Sequence, residues 1–344
     1  MEYPFVSVIM ACRNEIDYIV KSLDSLLKTT YPKDRLEIII IDGESTDGTR
    51  TVLEKIASEN PVVKVLFNPK KVIPTALNIG IKNSKGDIII RADAHAEYFP
   101  DYINKCVEYL YKTDAWCVGG PLATASLVDT LMARVIAAVL SSPFGVGFSY
   151  FRVGKEARYV DTVPFGAFRK ETFNKIGLYD ERLVRNEDNE FSSRIIKNKG
   201  KIFITPEIKS IYYARTNLKR FLESSYANGL WNAFIQKFYP YAFRWRHFLP
   251  LVFFIGCMLV FITLILGTIL KSTPLYLVSL VLVPYFVANI LSSFSLIFRR
   301  NLKIKSFILA IGVYFLFHFV YGYGIFRGWL LVLQSLKPQK QKAY

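Results

Sequence analysis

The sequence lacks the short motifs that mark several large classes of nucleotide-binding and metal-binding protein. No Gly-x-Gly-x-x-Gly follows the first apolar run, and no Gly-x-x-x-x-Gly-Lys-Ser/Thr occurs anywhere in the 344 residues. These absences argue against a dinucleotide-dependent enzyme and against a P-loop ATPase. The four cysteines are scattered, without the paired spacing of a zinc site or a redox dithiol. The cysteine pattern favours a protein whose thiols stay reduced, as they do in the cytosol.

Charged residues are absent from long stretches of the C-terminal third. Residues 248–270 and 274–298 contain no Asp, Glu, Lys or Arg, and each stretch exceeds the roughly 20 residues needed to cross the hydrocarbon of a bilayer. Residues 306–326 form a third apolar stretch, which contains His318 and three glycines. Because such stretches rarely occur together in a soluble protein, we predict transmembrane helices over about 248–270, 274–298 and 306–326.

The flanking charges indicate an orientation in the membrane. The first apolar run begins almost at Met1, so no secretory signal is expected, and the N-terminal part should remain in the cytosol with the spans in the plasma membrane. Only Lys271 lies in the loop between the first two spans. Several basic residues precede the first span or follow the second, on the side that the positive-inside rule assigns to the cytosol: Lys237, Arg244, Arg246, Arg299, Arg300, Lys303 and Lys305. Three spans would place the basic tail 337–344 on the outer side of the membrane, against the positive-inside rule. Either the tail is a tolerated exception, or residues 327–336 fold back at the interface.

The net charge of +16 raises the question of an anionic partner. Basic residues occur beside the apolar spans and throughout the N-terminal part, where they suit anionic lipid and an anionic small-molecule ligand better than nucleic acid. We therefore expect membrane lipid as a partner and no nucleic acid.

The N-terminal part alternates short apolar runs with segments of helical periodicity. The run LEIIII at residues 36–41 is typical of a strand that is buried on both faces of a parallel sheet. Comparable strands are predicted at 5–11, 62–67 and 87–91, with helices between them at 16–27, from Thr49, and at 75–83. This alternation predicts an α/β fold with a doubly wound, mostly parallel sheet.

Polar residues directly follow three of the predicted strands. They are the segment 13–15 (Arg-Asn-Glu), Asp42 and the segment 93–95 (Asp-Ala-His). Ligands of such sheets bind beyond the carboxyl ends of the strands, so we expect these acidic positions to converge on one edge. Taken alone, Asp42 or Asp47 could equally be a turn residue or a helix cap. A divalent metal held by carboxylate could neutralise the phosphates of a nucleotide in place of a P-loop.

Several runs, taken in order, resemble a known family. VSVIMACRNE, IIIIDGESTDGT and PTALNIGIKNSKGDIIIRADAHAEY are similar to family-2 glycosyltransferases of the GT-A fold. The stretch from SSPFG to NEDNEFSSRI resembles the subgroup that includes the succinoglycan-biosynthesis glycosyltransferase. The resemblance implies a GT-A domain at 1–235, an interfacial segment at 236–247, a transmembrane region at 248–336 and the basic tail.

The resemblance implies where the sugar donor is held. Glu15 and Asp42 fall where the family contacts the base and ribose of the nucleoside, and Ala11 belongs with them among the donor-binding positions. Lys71 and Asn78 are expected to line the phosphates and ribose, although a solvated surface lysine is the commoner state of Lys71.

The metal motif of the family is present with one change. Asp93 occupies the first position of the Asp-x-Asp motif, where it would ligate Mg²⁺ or Mn²⁺ that bridges the donor diphosphate. His95 stands where the second Asp often lies. It is either a metal ligand or a residue that supports the site from outside the coordination sphere.

The pair Glu187 and Asp188 matches the family's Glu-Asp pair, whose Asp is the catalytic base. Inverting transfer needs a carboxylate, apart from the metal, that takes the proton of the acceptor hydroxyl. The alternative is a carboxylate that only interacts with a helix dipole. Asp161, Thr162 and Gly166 are expected to form part of the floor for acceptor and donor sugar, or to be ordinary turn residues.

The function implied is inverting, metal-dependent transfer of one sugar from a nucleotide-diphosphate donor, expected to be a UDP-sugar, to a polyprenyl-diphosphate-linked saccharide. A polyprenyl-phosphate sugar synthase is the main alternative, but a phosphate acceptor has little need of the base that Glu187 and Asp188 offer. A processive synthase would carry Gln before Arg244-Trp245, where this chain has Tyr241. A non-catalytic membrane protein would be expected to have lost its metal and base carboxylates.

Two further segments have open interpretations. Residues 131–151 are apolar but interrupted by Ser, Pro and Gly, which predicts a helix and a mobile loop lying against the membrane surface, or a plain core helix. His318 is costly in lipid, so it should contact either the acceptor or another helix.

Overall fold

The computed structural model describes residues 3–242, 245–270, 275–300 and 302–334. They form two compact units. The first contains residues up to 123 and residues 154–212, and the second contains 124–153 and the residues from 213 onward. The sequence suggests a division at residue 235, whereas these units interleave along the chain.

The first unit contains most of the strands. They are β1 (Val6–Cys12), β2 (Leu36–Asp42), β3 (Val63–Phe67), β4 (Ile88–Asp93), β5 (Ala96–Tyr98), β6 (Cys117–Gly119), β8 (Arg158–Val160), β9 (Ala167–Arg169) and β10 (Ile202–Ile204). The strands β7 (Leu122–Ser126) and β11 (Ser210–Ala214) run from one unit into the other. The helices of this unit are α1 (Ile19–Leu27), α2 (Thr49–Glu59), α3 (Ile73–Asn83), α4 (Tyr102–Lys112), α8 (Lys170–Ile176) and α9 (Glu187–Lys197), with a 3-10 turn at Lys33–Arg35.

The main sheet has the strand order β3-β2-β1-β4-β9-β6-β10-β8. The four strands β3, β2, β1 and β4 are parallel, and β9 is antiparallel to both of its neighbours. All seven residues of β2 are buried, because helices cover both faces of the sheet. A smaller sheet has the order β5-β11-β7. The predicted fold class, a mostly parallel α/β sheet, is confirmed.

The second unit is helical. Its helices are α5 (Leu131–Val139), α6 (Pro143–Val146), α7 (Tyr150–Val153), α10 (Leu218–Phe238), α11 (Leu249–Leu270), α12 (Leu275–Arg300) and α13 (Ser306–Leu333), with 3-10 turns at Pro240–Ala242 and Trp245–His247. Three of them are long and apolar enough to cross a membrane, at Leu249–Thr268, Leu282–Arg300 and Ser306–Leu333. The three predicted apolar helices are therefore confirmed.

The last of these helices is longer than the sequence suggests. It continues to Leu333, past the predicted end at 326, so that Arg327 lies within the helix and the fold-back at the interface is not seen as far as residue 334. The basic tail at 337–344 lies outside the described residues.

Helix α10 packs closely against α13 through glycines. A Cβ atom on Gly324 would lie 2.3 Å from the carbonyl oxygen of Tyr226, and one on Gly229 would lie 2.2 Å from that of Tyr321. Both distances are well inside van der Waals contact, so only glycine permits this approach of the two backbones. The helix pair is thus built on small residues, as is common between helices in membranes.

The segment 131–151 is helical for most of its length in the second unit. The predicted helix is α5, and the interrupted part that follows forms the short helices α6 and α7. The Tyr314 hydroxyl of α13 donates a 2.6 Å hydrogen bond to Ser142, and the ring of Phe144 lies 5.0 Å from that of His318. His318 in turn lies 3.0 Å from the hydroxyl of Tyr285 in α12. Of the two expectations for His318, the structure shows the contact with another helix.

Candidate functional site

The acidic strand ends lie side by side. Asp42 at the end of β2 pairs with Cys12 of β1, and Asp93 at the end of β4 pairs with Ala11 of β1. The chain continues from β1 to β2 on one side, while β4 lies on the other side of β1, so the strand order reverses between β1 and β4. Ligands of open α/β sheets bind in the crevice at this topological switch point.

A cleft opens at this point, with about 620 Å³ of space between its walls, including the part that is open to solvent. We call it the switch-point cleft, and its lining residues are Ala11, Cys12, Arg13, Glu15, Gly43, Asn68, Lys71, Val72, Ile73, Ala76, Arg91, Ala92, Asp93 and His95. Several of the residues singled out in the sequence therefore line one cleft: Ala11, Arg13, Glu15, Lys71, Asp93 and His95.

Asp93, His95 and Glu15 form a charged cluster on one wall. The Nδ1 atom of His95 lies 2.8 Å from Oδ1 of Asp93 and 3.4 Å from Oε1 of Glu15. Burial opposes the charged imidazole, but the charge of Asp93 and the hydrogen bonds to Asp93 and Glu15 raise the pKa of His95 well above its usual value. Burial likewise opposes the charged carboxylate, but the charge and hydrogen bonds of His95 and the charge of Arg91 lower the pKa of Asp93 well below its usual value. Each of these two pKa shifts favours the charged form of its group.

The loop after β2 is built on two aspartates. The Oδ1 atom of Asp42 accepts a 2.6 Å hydrogen bond from the Ser45 hydroxyl, and the Asp42 side chain is buried. Asp47 accepts hydrogen bonds from the backbone and the hydroxyl of Thr49 at the start of α2. Asp42 has the contacts of a turn residue, and Asp47 has the contacts of a residue at the start of a helix. These are the structural roles that the sequence leaves open for the two residues. A nucleoside contact of Asp42 would have to share its carboxylate with Ser45.

The opposite wall carries Lys71. Its ammonium group forms an ion pair with Glu44, and its backbone has a φ of +59°. The preceding turn is held by Asn68, whose amide donates to the carbonyl of Val72 at 2.9 Å. A positive charge therefore stands at the rim of the cleft, at the place where the sequence predicts a phosphate contact.

Asn78 has a different environment from the one expected of a donor-binding residue. It lies outside the lining of the switch-point cleft, and its side chain is buried. Its amide donates to the carbonyl of Tyr179 at 2.9 Å, and its amide oxygen accepts from the Tyr179 backbone at 3.0 Å. The Nδ2 atom also lies 3.1 Å from Glu181. These bonds join α3 to the segment before α9, so Asn78 has the contacts of a structural residue.

Glu187 and Asp188 form the first turn of α9, and one cation contacts both of them. An Nη2 hydrogen of Arg91 is donated to Oε1 of Glu187 at 2.8 Å, and Nη1 lies 3.7 Å from Oδ2 of Asp188. The side chain of Glu187 is 4% exposed and that of Asp188 is 39% exposed. Burial raises the pKa of Glu187 despite the opposing charge of Arg91. Two adjacent carboxylates thus differ sharply in their access to solvent.

The predicted floor residues lie near these groups, between β8 and β9. The hydroxyl of Thr162 lies 3.0 Å from that of Ser192 in α9, and the carbonyl of Gly166 accepts a 2.9 Å hydrogen bond from the backbone of Arg91. A Cβ atom on Gly166 would lie 2.7 Å from the sulfur of Cys117. Asp161 lies in the same connection. These contacts hold the start of α9 and the end of β4 together.

Sequence reasoning missed Arg91, and it gave Arg13, one of the polar residues after β1, no role of its own. Arg91 lies within the apolar run of β4 and lines the cleft two residues before Asp93. A charged residue inside an otherwise apolar strand is itself a signal, because a buried charge needs a partner. Arg13 lines the cleft just after β1, where the sequence draws attention to Glu15.

Within the described ranges no group of three or more His, Cys, Asp or Glu side chains has the geometry of a metal site. The acidic residues nevertheless gather around the end of β1. Burial and then the charges of Glu15, Asp42, Asp47 and Asp93 raise the pKa of the Cys12 thiol well above its usual value. The predicted convergence of acidic side chains at one sheet edge is therefore present, without a complete cage for an ion.

The sequence of the chain is similar to a known family and to several known proteins. Residues 7–177 match the family profile described as Glycosyl transferase family 2. The chain is 27% identical over 332 residues to the dolichyl N-acetyl-alpha-D-glucosaminyl phosphate 3-beta-D-2,3-diacetamido-2,3-dideoxy-beta-D-glucuronosyltransferase of Methanococcus voltae, covering 94% of this chain and 97% of that protein. It is 31% identical over 213 residues to the succinoglycan biosynthesis protein ExoA of Rhizobium meliloti, covering 61% and 64% respectively.

A solved structure shares the fold. The mannosyltransferase PcManGT from Pyrobaculum calidifontis, in complex with GDP-Man and Mn²⁺, aligns with a TM-score of 0.54 at 15% identity, over 98% of this chain and 89% of that one. At this identity the likeness concerns the fold alone. The sheet of the first unit, with its switch-point cleft, is thus the GT-A fold.

Proposed function

We propose that this chain, which carries a glycosyl transferase family 2 domain, transfers one sugar from a nucleotide-diphosphate donor to a lipid-linked saccharide. The transfer proceeds with inversion at the anomeric carbon. One observation carries the proposal. The carboxylate of Asp93 and the guanidinium of Arg91 line the switch-point cleft, and Arg91 lies 3.7 Å from the exposed carboxylate of Asp188, which is outside the lining. Sugar transfer to a hydroxyl requires a metal ligand and a separate proton acceptor, the roles that we assign to Asp93 and Asp188.

The nucleoside end of the donor would lie between β1 and the loop after β2. Glu15 and the backbone of Ala11 line this part of the cleft, and Asp42 shapes it through the loop that it holds with Ser45. Lys71, at the rim, would approach the phosphates when its ion pair with Glu44 opens. We take the donor to be a UDP-sugar. Asn78 does not contact it in this proposal, because its side-chain amide is hydrogen-bonded to Tyr179.

A divalent ion fits beside Asp93. Mg²⁺ and Mn²⁺ are commonly held in nucleotide sites by one or two carboxylates together with the substrate's phosphates, so a complete protein cage is not needed. Asp93 supplies the ionised carboxylate, and the imidazole of His95, which lies 2.8 Å from it, would orient this ligand. When bound, the ion would neutralise charge that develops on the leaving nucleotide diphosphate.

Asp188 is the proposed base. Its carboxylate is accessible, lies in the first turn of α9 and is 3.7 Å from the guanidinium of Arg91. The acceptor hydroxyl would give its proton to Asp188 while its oxygen attacks the anomeric carbon from the side opposite the diphosphate. A single displacement of this kind inverts the anomeric configuration.

The acceptor is proposed to be a saccharide on a polyprenyl carrier. The name of the Methanococcus voltae relative, which spans nearly the whole of this chain, describes transfer to a dolichyl-linked N-acetylglucosaminyl phosphate. The three apolar helices of the second unit suit a protein whose acceptor is confined to a membrane. We place the spans in the plasma membrane and the catalytic unit in the cytosol, on the charges that flank the spans.

Purified full-length protein in detergent tests the proposal. UDP-sugars and GDP-mannose would each be incubated with a synthetic polyprenyl-phosphate-linked N-acetylglucosamine and a diphosphate-linked counterpart, with Mn²⁺, with Mg²⁺ or with EDTA. We expect metal-dependent transfer from at least one donor, and NMR of the product should show the anomeric configuration opposite to that of the donor. Transfer that is equally fast in EDTA would contradict the metal assignment, and retention of configuration would contradict the role of Asp188.

A further inference from the structure

Arg91 occupies an unusual position for a charged residue. It lies in β4, which is parallel to β1 in the middle of the main sheet, and its side chain is 14% exposed. Burying a guanidinium is costly unless it is paired, and its hydrogen-bonded partner here is Glu187, which is buried still more deeply. The pair is therefore retained at a cost in desolvation, which calls for a reason other than stability.

We propose that Arg91 and Glu187 are positioning residues that hold Asp188 at the cleft, and that Glu187 is not itself a proton acceptor. The inference rests on the proposed function and assigns different roles to the two carboxylates that the sequence treats as one catalytic pair. Arg91 anchors the first turn of α9 through Glu187 and leaves Asp188, the next residue, facing solvent.

The geometry separates the two carboxylates. Successive side chains of a helix point about 100° apart, so Glu187 and Asp188 cannot face the same group in the same way. Glu187 points to the guanidinium at 2.8 Å and is almost wholly covered, which leaves no path for an acceptor hydroxyl to its carboxylate. Asp188 lies 3.7 Å from the same guanidinium, too far for a direct hydrogen bond, and remains accessible.

Arg91 also fixes the distance between strand β4 and the first turn of α9. Residues two apart in a strand project from the same face, so Arg91 and Asp93 lie on one face of β4 and both line the cleft. Through Arg91, the helix that carries the base is attached to the strand that carries the metal ligand. A shift of about 1 Å in a reacting group can cost about 100-fold in rate, so a rigid link of this kind has a kinetic consequence.

The same helix provides a matched control. Glu190, also in α9, forms a 2.5 Å ion pair with Arg194, and Glu190 is completely buried. This pair has the same chemistry as that of Arg91 and Glu187, but neither member lines the switch-point cleft. Glu190→Gln therefore reports what the loss of a buried carboxylate in α9 does to folding alone.

The experiment compares Glu187→Gln, Glu190→Gln, Arg91→Met and Arg91→Lys in the full-length protein. For each variant kcat, KM for the donor, the Tm, and binding of UDP with Mn²⁺ by calorimetry would be measured. We expect Glu187→Gln and Arg91→Met to lower kcat about 100-fold, with KM and UDP binding changed by less than about threefold. Arg91→Lys, which keeps the charge without the planar fork, should recover about tenfold of the loss.

Three outcomes would overturn the inference. One is a kcat of Glu187→Gln that equals that of Glu190→Gln at a similar loss in Tm. Another is an Arg91→Lys variant no better than Arg91→Met, and the third is a Glu187→Gln loss that appears wholly in KM or in UDP binding. Asp188→Asn serves as the reference: if it is inactive while Glu187→Gln is not, only the positioning role fails, whereas an active Asp188→Asn removes the proposed function together with this inference.

Discussion

Asp93 lies between two cations, the imidazole of His95 and the guanidinium of Arg91, and this environment determines what it can bind. Opposite charges nearby favour the ionised carboxylate, which is the form that a metal ion needs. The sequence identifies Asp93 and His95 by their place after β4. It could not reveal that the imidazole of His95 lies 2.8 Å from Oδ1 of Asp93, because that contact depends on side-chain orientation.

Asp93→Asn should abolish the effect of Mn²⁺ on nucleotide binding. The amide keeps the shape of the side chain but has no charge for the ion, so we expect UDP to bind at least about tenfold more weakly in Mn²⁺ and with unchanged affinity in EDTA. Calorimetry in both conditions measures the difference. Asp47→Asn, which alters a carboxylate at the start of α2, is the control and should keep its Mn²⁺ dependence; a full Mn²⁺ effect in Asp93→Asn would refute the assignment.

Glu181 should make the stability of the first unit depend on pH. Its hydrogen bond from Lys70, with further bonds from Asn78 and Thr75, lowers the pKa of Glu181 to about 2. A carboxyl whose pKa is lower in the folded state stabilises the fold above its unfolded value, near 4.5, and loses this contribution as the pH falls towards 2.

Glu181→Gln should therefore reduce the free energy of unfolding by about 1 kcal/mol at pH 7, since the site is partly exposed to solvent and screened. Chemical denaturation at pH 7 and at pH 3 measures the difference between variant and wild type, which should shrink at the lower pH. A difference that stays constant or grows at pH 3 would contradict the role of the ionised carboxylate.

Two residues show the limit of family resemblance as a guide to contacts. The resemblance places Asp42 and Asn78 with the donor, and the structure joins Asp42 to Ser45 and Asn78 to Tyr179. Each contact depends on where a loop folds back, and loop conformation is the part of a fold that periodicity describes least. Arg91 was missed for the complementary reason, since the strand pattern drew attention away from a charge within it.

At the scale of elements, the packing of α10 on α13 depends on the absence of side chains. Gly324 lies so close to the backbone of Tyr226 that no Cβ atom fits, whereas a Cβ on Gly312 of the same helix would meet nothing within 4 Å. Gly324→Ala should therefore force the helices apart and destabilise the second unit by about 1–3 kcal/mol.

The matched control is Gly312→Ala, which should leave stability unchanged or raise it slightly, because alanine is the better helix former. Thermal unfolding of both variants in one detergent provides the comparison. Equal Tm values for Gly324→Ala and Gly312→Ala would contradict the close approach of α10 and α13.

The elements with the strongest patterns were predictable. The β-branched run of β2 and the charge-free runs of α11 and α12 indicated their own structures, because burial on both faces and immersion in hydrocarbon leave few other solutions. The short helices α6 and α7 were not predictable, since their interruptions by Pro and Gly resemble a loop. Contacts with residues far along the chain, such as that of Ser142 with Tyr314, hold α6 in place.

At the scale of the whole molecule, the two compact units are each built from segments that are not consecutive in the sequence. The segment 124–153 belongs to the helical unit although both of its flanks belong to the GT-A unit. The resemblance to the family assigns residues 1–235 to one domain, and this segment is included in it. The number of apolar helices and the mostly parallel character of the sheet followed from sequence, whereas the membership of this segment required three-dimensional contacts.

The most direct test of the proposed chemistry is the turnover of Asp188→Asn set against its donor binding. General-base catalysis typically contributes about 10²–10⁴ in rate, so kcat should fall by at least about 100-fold, while the affinity for the donor with Mn²⁺ stays within about threefold of wild type. Asparagine keeps the size of the side chain and its place in the first turn of α9. A kcat equal to that of the wild type would contradict the claim that Asp188 accepts the proton of the acceptor hydroxyl.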